Sequence, residues 1–277
     1  MKLYGEKIMD KKIIGKKISI ITISYNSINT IEKTFKAVLA QTYRPLEYVL
    51  VDSESKDGTI ELIERYISKF QVAGIEVNFK SEPDRGISDA FNKGIARTTG
   101  EIIGIINSDD QLMPESLKDV MQEFERSESD IVCGDCLWVD EENGIEYIRK
   151  SKMQLDRLKY EMVLMHPSCF VKKSVYEKYG VFDTNLKFVM DKDLMARFYK
   201  NGAKFSHIPK VLTRMSAGGA SDANAKKVYI EGVTVAVSNG VPRWFAEIRW
   251  RVMAVKAWIA GIIKKNKTMW SFLRKNK

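Results

Sequence analysis

The chain has 277 residues, 44% of them hydrophobic and 29% charged, with 45 Lys+Arg against 36 Asp+Glu for a net charge of +9. That composition excludes a disordered chain, and a chain of this length can bury most of the surface it exposes when unfolded, so one large domain or one domain with an appendage is expected. Three cysteines (Cys133, Cys136, Cys169) exclude a disulfide framework, and His166 and His207 are too few to complete a Cys/His zinc site. The opening residues, MKLYGEKIMDKKIIGKK, are basic without the apolar run of a signal peptide, and no stretch of about 18 apolar residues occurs. The expectation is a cytoplasmic protein that does not cross a membrane.

After a basic extension at 1–16, Ile18–Tyr25 (ISIITISY) reads as a β-branched strand, followed by polar Asn26, Ser27 and Asn29 and then by Ile31, Phe35, Val38 and Leu39 at helical spacing. Glu47–Asp52 (EYVLVD) repeats the pattern, with the loop Ser53–Gly58 and a helix carrying Ile60, Ile63 and Ile67. Val77–Lys80, the helix Ile87–Ile95 and the apolar strand Ile102–Ile106 continue the alternation, which predicts an α/β fold with a mostly parallel sheet and helices on both faces. Met113-Pro114 introduces a further helix through Leu117, Val120, Met121 and Phe124.

Beyond Asp130 the pattern changes. Ile131–Val139 and Ile145–Arg149 flank the turn Glu142-Asn143-Gly144 and predict a hairpin. A helix at Lys192–Lys200, a strand at Ala203–Ile208, a Gly/Ser/Asp-rich loop at Ser216–Asn224 and a helix near Lys226–Val237 follow.

The charge excess lies entirely in residues 241–277, which hold ten cations and one anion, so residues 1–240 are balanced. Four of the five tryptophans (Trp244, Trp250, Trp258, Trp270) are there too. Trp244, Ile248, Val252, Val255, Ile259 and Ile262 recur at helical spacing, with Arg249, Lys256 and Lys264 to one side. A basic amphipathic helix bearing Trp suits an anionic membrane interface. The same pattern also fits a helix packed on the domain with a solvated basic face. Nucleic acid is not expected, because nothing upstream resembles a nucleic-acid-binding motif.

In an open parallel sheet, ligands bind at the carboxyl ends of the strands. Asp52 closes the second strand, and Asp109-Asp110 follow the fourth. Adjacent carboxylates after a buried strand are costly unless they meet a cation or face a cleft. A hard divalent ion takes one or two carboxylates plus substrate phosphates, which makes this pair a candidate metal–diphosphate site. The alternative is that one of them caps the helix entered at Pro114.

The runs SIITISYNS, LVDSESKDGT, SEPDRGISDAFNKGI, GEIIGIINSDD and MDKDLMAR, in this order, resemble glycosyltransferase family 2, inverting enzymes of GT-A fold, over about Lys17 to Arg214. The resemblance implies a Rossmann-like catalytic domain at 17–215 with a nucleotide-sugar half (17–110) and an acceptor half (111–215); the loop and helix at 216–240 and the basic amphipathic helical tail at 241–277 are read from residue pattern and charge. It implies that Asp52 holds the nucleotide with the Ser53–Thr59 loop, Ser55 included, beside it. Asp84 and Asn92 match further nucleotide-side positions. Asp110 matches the metal-binding Asp, and Asp109 the sugar- or metal-side carboxylate before it, with Mn²⁺ or Mg²⁺ as the ion. Asp191 matches the catalytic base. Met190 stands where many members have Glu, and Asp193 is a second carboxylate within reach. His166 and Arg214 fall at candidate acceptor or diphosphate contacts. The implied reaction passes a sugar from a nucleotide-diphospho-sugar to a hydroxyl of a saccharide or lipid-linked saccharide in surface polysaccharide synthesis, at the cytoplasmic membrane face.

Two alternatives belong to other classes. A sugar-1-phosphate nucleotidyltransferase should show a Gly-rich basic loop after its first strand, and Ser24-Tyr25-Asn26-Ser27 is neither. A non-catalytic nucleotide-sugar or nucleic-acid binding module has no need of Asp191. Cys133 and Cys136 form a lone C-x-x-C on a predicted strand, read as structural, and Asn266-Lys267-Thr268 is a glycosylation sequon without a secretion signal.

Overall fold

The computed structural model describes residues 15–218 and 224–265, with 225 and 256–265 described by backbone alone. The expected basic extension therefore lies outside the described residues as far as residue 14. So do residues 219–223 of the expected loop and everything after Lys265.

Three strand–helix units come first: β1 (Ile18–Ser24), α1 (Ile31–Leu39), β2 (Leu46–Asp52), α2 (Thr59–Val72), β3 (Ile75–Ser81) and α3 (Ile87–Arg97). Then follow β4 (Ile102–Ile105), β5 (Gln111–Leu112), α4 (Ser116–Arg126), β6 (Ile131–Asp140), β7 (Ile145–Arg149), β8 (Cys169–Lys172), α5 (Lys173–Tyr179), α6 (Met190–Lys200) and β9 (Phe205–Ser216). Short 3-10 turns at Leu155–Lys159 and His166–Ser168 precede β8. Two helices close the described chain, α7 (Ala225–Ser238) and α8 (Arg243–Lys265).

One nine-stranded sheet has the order β3-β2-β1-β4-β8-β6-β9-β5, with β7 paired to β6. β1 to β4 are parallel, whereas β8 runs antiparallel between β4 and β6, and β9 is parallel to β6. Because β1 leads to β2 on one side and meets β4 on the other, the strand order reverses between β1 and β4, the place where such sheets bind ligands.

Apolar runs cover both faces of the inner strands. On one face Ile18, Ile20, Leu46, Tyr48 and Leu50 pack with Phe35, Phe70 and Leu117 of α1, α2 and α4. On the other, Ile21, Val49, Val51 and Ile103 pack with Phe91, Leu194 and Phe198 of α3 and α6. Strands sandwiched this way have no solvated side, hence their lack of polar alternation. Gly104 lets β8 in: a Cβ there would lie 2.5 Å from the ring of Phe170, its cross-strand partner.

Neither Asp109 nor Asp110 caps α4, which starts after Glu115 in a left-handed conformation (φ 61°). The strand expected to end at Ile208 runs on to Ser216, because its second half pairs with β6 across a bulge near Asp135. The short strands β5 and β8 lack a sequence pattern of their own and exist through their partners.

The expected amphipathic tail helix forms, but it turns the opposite way from a simple packed helix. Ala246 is fully buried and Phe245 and Trp250 pack with Tyr160, Tyr229, Val233 and Ala236. The apolar stripe faces outward: Trp244 is 65% exposed, Ile248 51%, Val252 41% and Val255 54%. Arg249, expected on the solvated side, instead turns inward to pair with Glu161 at 2.5 Å over the ring of Tyr160. Ile259, Ile262, Lys256 and Lys264 belong to the part described by backbone alone. Among the described residues no helix is long and apolar enough to cross a membrane.

Candidate active site

The strand register builds one side of the site. It sets Ser24, Asp52 and Ser81 in one row across the carboxyl ends of β1, β2 and β3. Asp52 is fully buried, and its carboxylate accepts from Ser24 Oγ (2.8 Å), Ser55 Oγ (2.6 Å), Ser55 N (2.8 Å) and Ser81 Oγ (3.1 Å). Four donors fill a carboxylate's acceptor sites. Asp52 is therefore a hub that fixes the following loop, and Ser55 is held in it, accepting in turn from Asn26 N at 2.8 Å.

Asp84 is half-buried at the entrance to α3. It accepts from Gly86 N at 2.7 Å and from the hydroxyl of Ser53, which ties the loops after β2 and β3 together. Asn92 makes a structural contact. Its amide donates to Phe182 O (2.9 Å) and accepts from Phe182 N (2.9 Å), so both ends are engaged in joining α3 to the segment before α6.

Asp109 and Asp110 lie at the switch point after β4. Asp110 is 1% exposed and accepts from Asn107 Nδ2 at 2.9 Å and Ser216 N at 3.3 Å. Ser216 Oγ also donates to Asp109 O at 2.8 Å, so the last residue of β9 closes over the pair. Burial pushes the Asp110 carboxyl up to about 7, with the charge of Asp109 adding to the effect. Burial also raises Asp109, which is less enclosed. Two crowded carboxylates drawn toward neutrality are a site short of positive charge. No group of three or more His, Cys, Asp or Glu side chains converges among the described residues. The donor set fits a hard divalent ion whose remaining ligands come from a diphosphate and water.

The other side of the site is carried to the same edge by β8. Because β8 is antiparallel to β4, the turn His166–Ser168 just before it stands beside the residues just after β4. Burial between Phe91 and Phe182 (ring centroids 6.3 and 5.9 Å away) lowers His166, while the nearby charge of Asp191 opposes that shift. Asp191 sits in the first turn of α6, half-buried, where its Oδ1 accepts from the following Lys192 N at 2.7 Å. Asp193 is committed elsewhere, to Arg197 at 3.0 Å, and Arg197 in turn binds the carbonyls of Tyr179 and Val181. Arg214, opposite Gln111 in the β5–β9 pair, is held by Glu141 at 2.7 Å, which also binds Lys33.

Asn107, Ser216 and the Ser27–Ser108 hydroxyl contact (3.0 Å) between the loops after β1 and β4 were not visible in the sequence as site residues. Ser24 and Ser81 could have been found from register, had it been known. The C-x-x-C is separated: Cys133 lies 3.4 Å from Cys169 instead, all three thiols being free and buried. An open cleft lined by Lys16, Glu101, Lys172 and Lys173 lies at the opposite, amino-terminal edge of β1 and β4, away from these carboxylates.

The chain is similar to known glycosyltransferases. An uncharacterized glycosyltransferase of Rickettsia prowazekii is 26% identical over 221 residues, 76% of this chain and 67% of the relative. Among solved structures, residues 1–349 of Staphylococcus aureus TarS in complex with UDP superpose with a TM-score of 0.63 at 21% identity, over 80% of this chain and 65% of that one. The mannosyltransferase PcManGT of Pyrobaculum calidifontis, in complex with GDP-Man and Mn²⁺, gives a TM-score of 0.63 at 16% identity over 93% of this chain and 83% of that one. These structures share the GT-A-like fold. Residues 19–180, more than half of the chain, match the family model of glycosyl transferase family 2, and the chain belongs to that family.

Proposed function

We propose that this glycosyltransferase moves a sugar from a nucleoside-diphosphate sugar to an acceptor hydroxyl by a single displacement that inverts the anomeric carbon. The observation that carries the reading is the division between two kinds of carboxylate at one sheet edge. Asp109–Asp110 are crowded and pushed toward neutrality, whereas Asp191 stands on a separate element, in the first turn of α6, close enough for its charge to act on His166.

Residues 17–110 form the donor half in this reading. Asp52 and Ser55 hold the loop that receives the nucleotide, and Asp84 orders its neighbour. Asp109 and Asp110 would hold Mn²⁺ or Mg²⁺, which offsets the charge that builds on the leaving diphosphate. In the acceptor half, 111–215, Asp191 takes the proton of the attacking hydroxyl, a contribution of about 10²–10⁴-fold for a positioned base. Asp193 is the weaker candidate because Arg197 holds it. His166, whose basicity burial weakens, can share a hydrogen bond with the acceptor while Asp191 takes its proton. Arg214 reaches a diphosphate only by leaving Glu141.

The acceptor is proposed to be a lipid-linked or growing saccharide at the cytoplasmic face of an anionic membrane. The outward stripe of α8 and the cations of 241–277 support this, as apolar contact plus charge is how interfacial helices bind. The test of donor use is a thermal-shift screen of UDP- and GDP-sugars with Mn²⁺ or with EDTA. A ligand at 100 times its Kd should stabilise the fold by about 2.7 kcal/mol. A complete panel with no Mn²⁺-dependent rise in Tm would sink the donor and metal assignments.

A further inference from the structure

The amino end of α6, which carries Asp191, receives no hydrogen bond from the side chain of its cap residue. Its cap position is Val189, which has no side-chain acceptor for the free amides of the first turn. The three amides that lead into the helix, those of residues 187–189, are instead held by an acceptor 42–44 residues away. The carboxylate of Glu231, on α7, accepts from Lys187 N (3.0 Å), Phe188 N (2.8 Å) and Val189 N (3.3 Å). A carboxylate at this end is also favoured by the helix dipole.

A second tie lies one residue beyond Asp191. Lys192 is 2% exposed, and its ammonium donates to Gly232 O at 3.1 Å and lies 5.7 Å from the ring centre of Trp250. Trp250 comes from α8 and fills the space left open by Gly232, where a Cβ would lie 1.9 Å from the indole. Arg249 anchors the same turn of α8 to Glu161. Two helices that the sequence presents as an appendage thus grip the residues on both sides of Asp191.

We infer that Glu231, Lys192 and Trp250 are positioning residues for the transfer reaction: Glu231 fixes the entry to α6, Lys192 with Gly232 O and Trp250 fixes its first turn, and together they aim the Asp191 carboxylate at the acceptor hydroxyl. A reacting group misplaced by about 1 Å can lose about 10²-fold in rate, so a clamp on this turn acts on turnover and leaves donor binding alone. The inference rests on the reading of Asp191 as base.

The experiment is a double-mutant cycle on the full chain, following UDP and GDP release from the UDP- and GDP-sugar panel with acceptor-containing membrane extract. Glu231→Ala should lower kcat by about 10–100-fold, with donor KM and the Kd for UDP or GDP within about twofold of wild type. In an Asp191→Asn background the same change should cost less than about twofold, because the group it aims is already gone. Glu231→Gln keeps an acceptor oxygen of the same reach and should recover part of the rate; it also serves as the cycle partner if the alanine variant does not fold. Full turnover by both Glu231 variants, or an undiminished loss in the Asp191→Asn background, overturns the inference. Near-normal turnover by Asp191→Asn itself marks the failure of the base assignment and is read separately.

Discussion

Asp110→Asn should make the metal-free protein more stable at pH 8 and less stable at pH 4. Asp110 is 1% exposed, and its carboxyl is raised from 3.8 to about 7 by burial and by Asp109. A folded-state value above the unfolded one means that the folded state binds the proton more tightly, so stability is lost as pH rises through that window. The gap of about 3 pH units, at about 1.4 kcal/mol each, places about 4 kcal/mol of cost on the ionised form at pH 8. Asparagine removes that cost but must turn its NH₂ toward either Asn107 Nδ2 or Ser216 N, leaving a donor opposed to a donor for about 1–2 kcal/mol. The net gain at pH 8 is therefore about 2–3 kcal/mol. At pH 4 the wild-type carboxyl is protonated, the cost has nearly vanished, and the variant is the less stable by about 1 kcal/mol. Urea unfolding of both proteins in EDTA at the two pH values measures this directly. A variant no more stable than wild type at pH 8 would refute the reasoning that burial and crowding store the charge deficit at this site. Added Mn²⁺ with a bound nucleoside diphosphate should reverse the order at pH 8.

Other consequences are open to simple tests. Asp191→Asn should leave UDP- or GDP-sugar binding unchanged while lowering turnover about 10²–10⁴-fold, and Asp193→Asn should lower it far less; the opposite ranking in initial-rate assays would move the base. Lys192, pushed down by burial to about 8 from 10.5, burdens the fold while it stays charged, and the burden is relieved as pH rises from about 8 toward 10.5. Wild type should accordingly gain about 2 kcal/mol on Lys192→Met between pH 7 and 9.5 in denaturant titrations, and parallel curves would contradict it. Ile248→Glu with Val252→Glu should abolish co-sedimentation with anionic phospholipid vesicles at unchanged Tm; retained binding would remove the stripe from the membrane contact. Deleting 241–277 is the poorer test, because it also removes Trp250 from Lys192. Gly104→Ala should destabilise by about 1–3 kcal/mol through its clash with Phe170, read as a lower Tm.

Features written in contiguous residues are legible without the fold. The strand–helix alternation through Ile105, the carboxylate pair after a buried strand, and the helical period of the tail all depend on neighbours within a few positions, so periodicity and composition expose them. The order of five short motifs was enough for the family. Tertiary structure alone decided which side chains remain available to a ligand. Asp52 looks like a free carboxylate until β-sheet register brings Ser24 and Ser81 to it from 28 and 29 residues away. Asp191 and Asp193 are equivalent on paper; Arg197, with the carbonyls it binds, sets them apart. Asn92 is lost to Phe182 across 90 residues, and Ser216 reaches Asp110 across 106. Helical periodicity defined the stripe of α8 but not which face it presents, since that depends on what Trp250 and Arg249 find to pack against. Hydrogen-bond partners chosen at such separations leave no local signal, because the backbone near each residue is satisfied equally well with or without them.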